Sequence, residues 1–594
     1  MSSLELGIIG NCSISALIDR KGDIVWWCLP RFDGDPVFSA LLNSRQEGAR
    51  EGVFAVELEG LTATDQEYVS STGVLRTRLH SPAGSLEITD CAPRFFSRGR
   101  VFRPQTLVRR ITPLSGTPRI RIRLRPRFGY GADAPHITYG SNHIRFVGQE
   151  LTLRLNTDAP IDFLLEDTVF NLDGPLDFIL GPDETLTSGV KETAREFEEQ
   201  TIDYWRGWSR RLALPLDWQE AVIRAAITLK MCTYEQTGAI VAAMTTSIPE
   251  APGSGRNWDY RYCWIRDAFF VVRALNSLAS VGAMENYFHW LMNVVAAAGG
   301  EHLQPVYSVG LQSSLVENLV TSLPGYRGMG PVRRGNQAYE HFQHDVYGQV
   351  ILGVSQAFFD TRLLMRPGEE DFKRLEQMGE RAFALYDQPD AGIWEYRSRA
   401  RIHTSSSLMC WAGCDRLAHI AAHLGIAPRA IYWRERADII KQRILTEAWS
   451  EERKAFVESF GGSSMDASVL LMSEVGFIDP KDPRFVSTVE KVEATLGRGP
   501  HTMRYEAEDD FGRPETAFNI CTFWRLDALA RIGRIEEARE IFEAMLNSRN
   551  HLGLLSEDTD PATGELWGNF PQTYSMVGII NGAIRLSRPW DAVV

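Results

Sequence analysis

What is scarce in this 594-residue chain is informative first. It holds eight cysteines, Cys12, Cys28, Cys91, Cys232, Cys263, Cys410, Cys414 and Cys521, and no Cys-x-x-Cys pair, so neither a disulfide framework nor a zinc site is signalled. Cys410 and Cys414 stand one helical turn apart and read as two buried thiols. No apolar run approaches the roughly 20 residues that span a bilayer, which argues against a membrane role. Basic residues are outnumbered, 63 Lys and Arg against 76 Asp and Glu, for a net charge of −13. Binding phosphates needs clustered cations, so nucleic acid is not an expected partner. The opening MSSLELGIIG lacks a basic segment and carries Glu5 where a signal peptide is apolar, so a cytoplasmic location is expected. With 44% hydrophobic and 23% charged residues the chain is neither disordered nor fibrous. At roughly 100 to 200 residues per domain it has room for two to four domains.

Two periods divide it. The first ~190 residues read as strands: Arg119-Ile-Arg-Ile-Arg-Leu-Arg125 alternates strictly, and 74–79, 86–89, 143–147 and 151–155 are shorter versions between Gly, Pro, Asn and Asp turns. That pattern predicts an antiparallel β-sandwich, with the arginines from Arg119 to Arg127 as a solvated sheet face. Residues 194–212 predict a charged connecting helix stopped at Pro215. Beyond it twelve helical stretches open near residues 217, 267, 284, 341, 370, 405, 427, 463, 484, 515, 535 and 571. The first has Asp217 and Glu220 three residues apart, a capping-box start. Odd stretches are amphipathic and even ones apolar nearly all round, which implies six inner helices enclosed by six outer ones. Connections after odd stretches are long and those after even stretches short, so every long loop emerges at one end of the ring. The expected fold is multidomain β + α: a β-sandwich over 1–192, a linker helix over 193–215 and an (α/α)6 toroid over 216–594.

The long loops hold the unusual residues. The first contains Arg256-Asn-Trp-Asp-Tyr-Arg-Tyr-Cys-Trp-Ile-Arg-Asp267, the third Gly392-Ile-Trp-Glu395, the fifth Arg504-Tyr-Glu-Ala-Glu-Asp-Asp510, the sixth Ser556-Glu-Asp-Thr-Asp-Pro561. Trp beside carboxylates suits a sugar, whose C–H face takes an indole and whose hydroxyls take charged groups in bidentate fashion. Cleaving a glycosidic bond needs one protonated and one ionised carboxyl. Glu395, beside the apolar Trp394, suits the acid, since desolvation raises a carboxyl pKa. Glu557, in a polar acidic loop, suits the base. A helix-end ion pair at Glu395 and a solvated turn at Glu557 are the plainer readings of the same residues.

The opening Leu6-Gly-Ile-Ile-Gly-Asn-Cys-Ser-Ile-Ser-Ala-Leu-Ile and Asp23-Ile-Val-Trp-Trp-Cys-Leu-Pro-Arg-Phe-Asp33 resemble the start of bacterial glucoamylase-like and trehalase-like enzymes of glycoside hydrolase family 15. So do Trp264-Ile-Arg-Asp267, Gly325-Tyr-Arg-Gly328, Asp345-Val-Tyr-Gly348, Gly392-Ile-Trp-Glu395 and Gly568-Asn-Phe-Pro-Gln572, in order along the chain. The resemblance implies inverting hydrolysis of an α-linked non-reducing glucose without cofactor or metal, with Glu395 as general acid and Glu557 as general base. It implies that Arg266 and Asp267 grip the glucose hydroxyls and that Trp264 and Trp394 line the same subsite. Arg327 and Asp345 are weaker substrate-binding candidates, for which an ion pair shaping the loop is an equal reading.

Three departures lie on the acceptor side. The family's Glu-Glu-Tyr-Asp-Pro reads Glu557-Asp-Thr-Asp-Pro561, its Gln-Leu-Asp-Val-Tyr-Gly reads Gln343-His-Asp-Val-Tyr-Gly348, and its Gly-Glu-Gly reads Pro514-Glu515-Thr516. His344 is read as a surface or core histidine, and the acidic run Glu506, Glu508, Asp509, Asp510 and Glu515 as a solvated rim, not a cation site. The expected activity is glucoamylase-like, releasing β-D-glucose from α-glucans or short α-gluco-oligosaccharides. An α,α-trehalase is the alternative within the family, and a non-catalytic sugar-sensing domain the alternative from another class. Linkage, chain-length preference, the role of Asp558 and oligomeric state are not legible.

Overall fold

The computed structural model describes residues 4–43, 50–299 and 302–593. Its N-terminal part is two facing antiparallel sheets. One runs, in spatial order, Leu6–Gly10, Ser15–Asp19, Ile24–Leu29, Val53–Leu58, Arg119–Arg125 and Phe170–Asn171, with Asp35–Phe38 joined to Ile24–Leu29. The other runs His136–Tyr139, His143–Val147, Thr152–Thr157, Leu176–Pro182, Leu107–Gly116, Gly84–Cys91, Leu75–Ser81 and Ala63–Tyr68.

The first three strands are apolar without alternation because both faces are covered. Ile9, Ile18, Ile24 and Trp27 pack against the second sheet; Leu6, Ile8, Leu17 and Trp26 pack into the helical half. Farther along the same sheet the cover ends and alternation returns. Ile120, Ile122 and Leu124 point inward, while Arg119 pairs with Glu59 at 2.7 Å, Arg123 with Glu57 at 2.8 Å and Arg125 with Asp167 at 2.5 Å. The single-turn helix α1 (Ile161–Leu165) packs on the sandwich, and α2 (Val190–Ser209) links it to the helices through the buried Trp205.

The helices that follow are α3 (Gln219–Met231), α4 (Ile265–Ser277), α5 (Val281–Ala298), α6 (Asp345–Phe359), α7 (Glu369–Leu385), α8 (Thr404–His423) and α9 (Ala427–Glu447). Then come a 3-10 turn (Ala467–Leu470) running into α10 (Leu471–Glu474), α11 (Pro483–Leu496), α12 (Asn519–Arg531), α13 (Ile535–Asn547) and α14 (Thr573–Leu586). The even-numbered helices form a closed inner ring, α4 beside α6, α6 beside α8, α8 beside the 467–470 turn, α10 beside α12, α12 beside α14 and α14 back against α4. The odd-numbered ones surround it. α6, α8 and α14 are buried along nearly their whole length, whereas α7 buries one stripe of Phe372, Leu375, Met378 and Ala382 at the helical repeat. Among the described residues no helix is long and apolar enough to cross a membrane.

α3 is outer by position yet largely buried, because the sandwich lies on it. Arg224 donates to the Thr72 carbonyl at 2.8 Å and Ser15 to the Met231 carbonyl at 3.2 Å. Beside them Arg94 spans the junction, donating to the Asn11 carbonyl at 2.6 Å and to Glu235 at 2.7 and 2.8 Å. The capping box expected from Asp217 and Glu220 does not form. α3 opens with Trp218 in left-handed conformation and no side-chain cap. Asp217 instead accepts from the Arg588 guanidinium at 2.8 Å, which holds its pKa down to about 2. A bidentate charged bond outcompetes a neutral amide for the same carboxylate.

Candidate active site

The connections 232–264, 302–344, 386–403, 448–466, 497–518 and 548–572 all follow odd-numbered helices, and they gather at one mouth of the ring. A cavity of about 50 Å³ there is lined by Glu395, Glu557, Arg266, Asp267, Trp264 and Trp394. These six come from the first, third and last long connections and from the first turn of α4. Arg327 and Asp345 are not on its wall. Arg327 pairs with Glu565 at 2.7 Å and lies over the Trp567 ring. Asp345, buried in the first turn of α6, accepts from Gln349 at 2.7 Å, and burial pushes its pKa up to about 6.

Glu395 sits in a tight turn. Gly392 takes a φ of 67° beside the His403 ring, where a Cβ would come within 2.6 Å, and the Glu395 amide donates back to the Gly392 carbonyl at 3.1 Å. Glu395 itself has a φ of 62°, an uncommon conformation for a non-glycine residue, which presents its carboxylate to the cavity. Oε1 accepts from the Trp264 indole at 2.7 Å and lies 3.5 Å from Arg266. Arg266 is anchored by the Ile393 carbonyl at 2.7 Å and by Asp267 at 2.8 Å. Burial raises the Asp267 pKa and the adjacent Arg266 offsets part of that rise. Chain adjacency suggested Trp394 as the apolar neighbour of Glu395. In the fold Trp394 donates its indole N–H to Asp466 at 2.7 Å, and Trp264 is the tryptophan bonded to the Glu395 carboxylate.

The polar, solvated loop expected around Glu557 is instead interior. Ser556, Glu557, Asp558 and Thr559 are at most 1% exposed, because 558–559 pairs with Ala517–Phe518 and Leu566–Trp567 in a small sheet. Gly568, at a φ of 76°, allows close approach, since a Cβ there would lie 2.6 Å from that of Glu557. Glu557 Oε1 accepts from the Tyr260 hydroxyl at 2.7 Å and stands 3.7 Å from Arg504; Oε2 has no partner among the described residues. Arg504 also serves Asp558 at 3.0 Å and Glu250 at 2.8 Å. Burial, then the neighbouring Glu250 and Asp558, push the Glu557 pKa well above the ordinary carboxylate range. Burial likewise carries Asp558 to about 7, against the pull of Arg504.

A second cavity of about 80 Å³ adjoins the first and shares Tyr260, Trp394, Glu395 and Arg504 with it. Its outer wall comes from the acidic run expected to be a solvated rim. That run is largely ion-paired. Asp509 makes two 2.6 Å bonds to Arg256, Asp510 accepts from the Arg397 amide at 2.7 Å, and Phe511 meets the Trp258 ring edge-on at 5.2 Å. Glu506 pairs with Arg453 at 3.0 Å, while Glu508 and Glu515 stay exposed. The segment is a strap on the wall of this second cavity, tied by Asp509 and Asp510 to the first and third loops.

His344 is a core histidine: its amide donates to Asp390 at 2.9 Å, its ring meets the Gln388 carbonyl, and burial lowers its pKa. Cys410 and Cys414 are buried free thiols. Among the described residues no group of three or more His, Cys, Asp or Glu side chains is arranged to hold a metal ion. Sequence reasoning did not single out Tyr260, Arg504 or Glu250. The period-two spacing from Tyr260 to Trp264 in an extended segment was the available signal for the first.

Comparison with known proteins bears on this geometry. The family model described as Glycosyl hydrolases family 15 matches residues 217–583, and one described as Trehalase-like, N-terminal matches residues 4–165. The Mycobacterium tuberculosis protein named Trehalase is 31% identical over 615 aligned residues, covering 98% of this chain and 89% of that protein. The Thermoplasma volcanium Trehalase is 30% identical, covering 98% and 93%. A crystal structure of a bacterial glucoamylase complexed with acarbose superposes with a TM-score of 0.69 at 14% identity, covering 98% of this chain and 93% of that one, which shows a shared fold.

Proposed function

The chain belongs to glycosyl hydrolases family 15, and from that premise we propose that it hydrolyses α,α-trehalose, with Glu395 as general acid and Glu557 as general base. Glu395 protonates the oxygen between the two glucose units. Glu557 takes a proton from a water that attacks the anomeric carbon from the opposite face. The C–O bond breaks with inversion, giving one β-glucose from the inner cavity and one α-glucose from the acceptor side. Arg266 and Asp267 hold hydroxyls of the inner glucose, and Trp264 and Trp394 line its C–H faces. Tyr260 and Arg504 orient Glu557, Asp345 stands behind Arg266, and Arg327 shapes the rim with Glu565.

The meeting of Glu395 and Glu557 in one small cavity, with Asp509, Asp510 and Phe511 narrowing the adjoining one, carries this reading. A long glucan needs an open acceptor side; a disaccharide does not. The near full-length alignment with proteins named Trehalase supports the same choice over the glucan-directed activity expected from the sequence.

Glucose release from trehalose, maltose, maltotriose, isomaltose and starch tests it. We expect kcat/KM for trehalose to exceed that for maltose by about 100-fold, the scale of two hydrogen bonds left unmade by the wrong linkage. Equal or faster turnover of maltotriose or starch would return the enzyme to the glucoamylase-like reading.

A further inference from the structure

The N-terminal sandwich is absent from the walls of both cavities, yet its contacts converge on the one segment that holds both proposed catalytic carboxyls. We propose that the sandwich is a positioning element of the active site, acting through Tyr130 and Arg261 on the backbone that carries Tyr260 and Trp264. This rests on the roles given above to Glu395 and Glu557.

Residues 258–264 lie extended along 240–247, with the Ala243 amide bonded to the Tyr260 carbonyl at 2.9 Å, Ala242 to Tyr262 at 2.9 Å and Ser247 to Trp258 at 2.8 Å. An extended chain sends alternate side chains to opposite faces. On one face Tyr260 donates to Glu557 and Trp264 donates to Glu395, each at 2.7 Å. On the other, Asp259 and Arg261 are fully buried.

Arg261 divides its donors between its own loop and the sandwich. Two bonds go to Asp259, at 2.9 and 2.7 Å, one to the Gly34 carbonyl at 2.6 Å and one to the Tyr130 hydroxyl at 2.7 Å. Its guanidinium also lies over the Trp26 and Tyr130 rings. The sandwich presents Tyr130 with care. Its φ is 55°, left-handed for an aromatic residue. Asp35 holds that turn by accepting the Gly129 and Tyr130 amides at 2.6 and 2.7 Å, and Ser322 donates to the Tyr130 carbonyl at 2.7 Å. Such a conformation persists only where its surroundings over-determine it, and it concentrates where geometry matters to function. Its hydroxyl meets Arg261, and Arg261 fixes the strip from which both carboxyls are steadied.

Displacing a reacting group by about 1 Å costs roughly 100-fold in rate. Tyr130→Phe removes the hydroxyl and keeps the ring. We expect it to lower kcat on trehalose about 10-fold with KM within about twofold, and to move the acid limb of the kcat–pH profile as the Tyr260 bond to Glu557 loosens. Asp35→Asn, which relaxes the Tyr130 turn and removes a negative charge near Arg261, should act in the same direction. Arg94→Lys, at the other sandwich junction, serves as the control: melting temperature lowered, kcat and pH profile unchanged. The proposal is overturned if Tyr130→Phe and Asp35→Asn lower the melting temperature alone, or if Arg94→Lys moves kcat as much as they do. Activity surviving in Glu395→Gln and Glu557→Gln would instead sink the underlying assignment.

Discussion

Glu395 and Glu557 are held in unlike ways, and the difference has a measurable sign. Glu395 is about one-fifth exposed and bonded to an indole, whereas Glu557 is buried among carboxyls that share Arg504. A general base works only when ionised. Because burial raises the Glu557 pKa, activity should be lost as pH falls through a value above the ordinary ~4.3 of glutamate. A kcat–pH profile whose acid limb sits near pH 4 would contradict this. Glu395→Gln and Glu557→Gln should each lower kcat by roughly 10² to 10⁴-fold, with melting temperature close to that of the parent. A carboxylate destabilised by burial is also a stronger proton acceptor once ionised, so the interior position of Glu557 suits the base in a way that a solvated loop would not.

Among elements, the tight turns are as exacting as the helices. Gly568→Ala would force a Cβ into the Glu557 side chain and put a left-handed φ on a residue that resists it. We expect activity to fall at least as far as in Tyr130→Phe, with a modest loss of melting temperature; unchanged kcat would show that Glu557 has room to move. The helical ring was legible because amphipathic and apolar stretches alternate, as Phe372, Leu375 and Met378 on α7 against the almost wholly buried α6 illustrate. The long connections were legible at one end of the ring because they alternate with short ones. What could not be read was which acidic residues would find partners. Asp217 lost its capping role to Arg588, some 370 positions away, and Asp509 left a solvated rim for Arg256 on another loop. Six of the eight candidate site residues line one cavity, whereas Arg327 and Asp345, from equally compact motifs, lie off its wall. Tyr260, Arg504 and Glu250 stand out only once 250–264, 504 and 557 are neighbours in space.

At the scale of the whole molecule, buried acids set a pH preference for stability. Burial raises Asp19 and Asp390 to about 7, Asp345 and Asp466 to about 6, and Asp558 to about 7. Their folded pKa values lie above the unfolded ones, so the stability they confer is present at low pH and lost as pH rises through 6 and 7. Asp217 and Glu235, held near 2 by arginine and lysine partners, act in the opposite sense and lose their contribution as pH falls toward 2. Thermal melting followed across pH should therefore peak at about pH 4 to 5 and decline through neutrality; a maximum above pH 8 would be inconsistent with these environments. The covering of α3 by the sandwich bears on handling as well. A fragment beginning at residue 216 would bare Met231 and the helical surface on which Leu6, Ile8, Leu17 and Trp26 now pack, together with the junction that Arg94 now closes. Such a product should clump in dilute buffer, so anyone trimming the protein for crystals or for industrial use gains nothing by discarding the part that never meets the sugar.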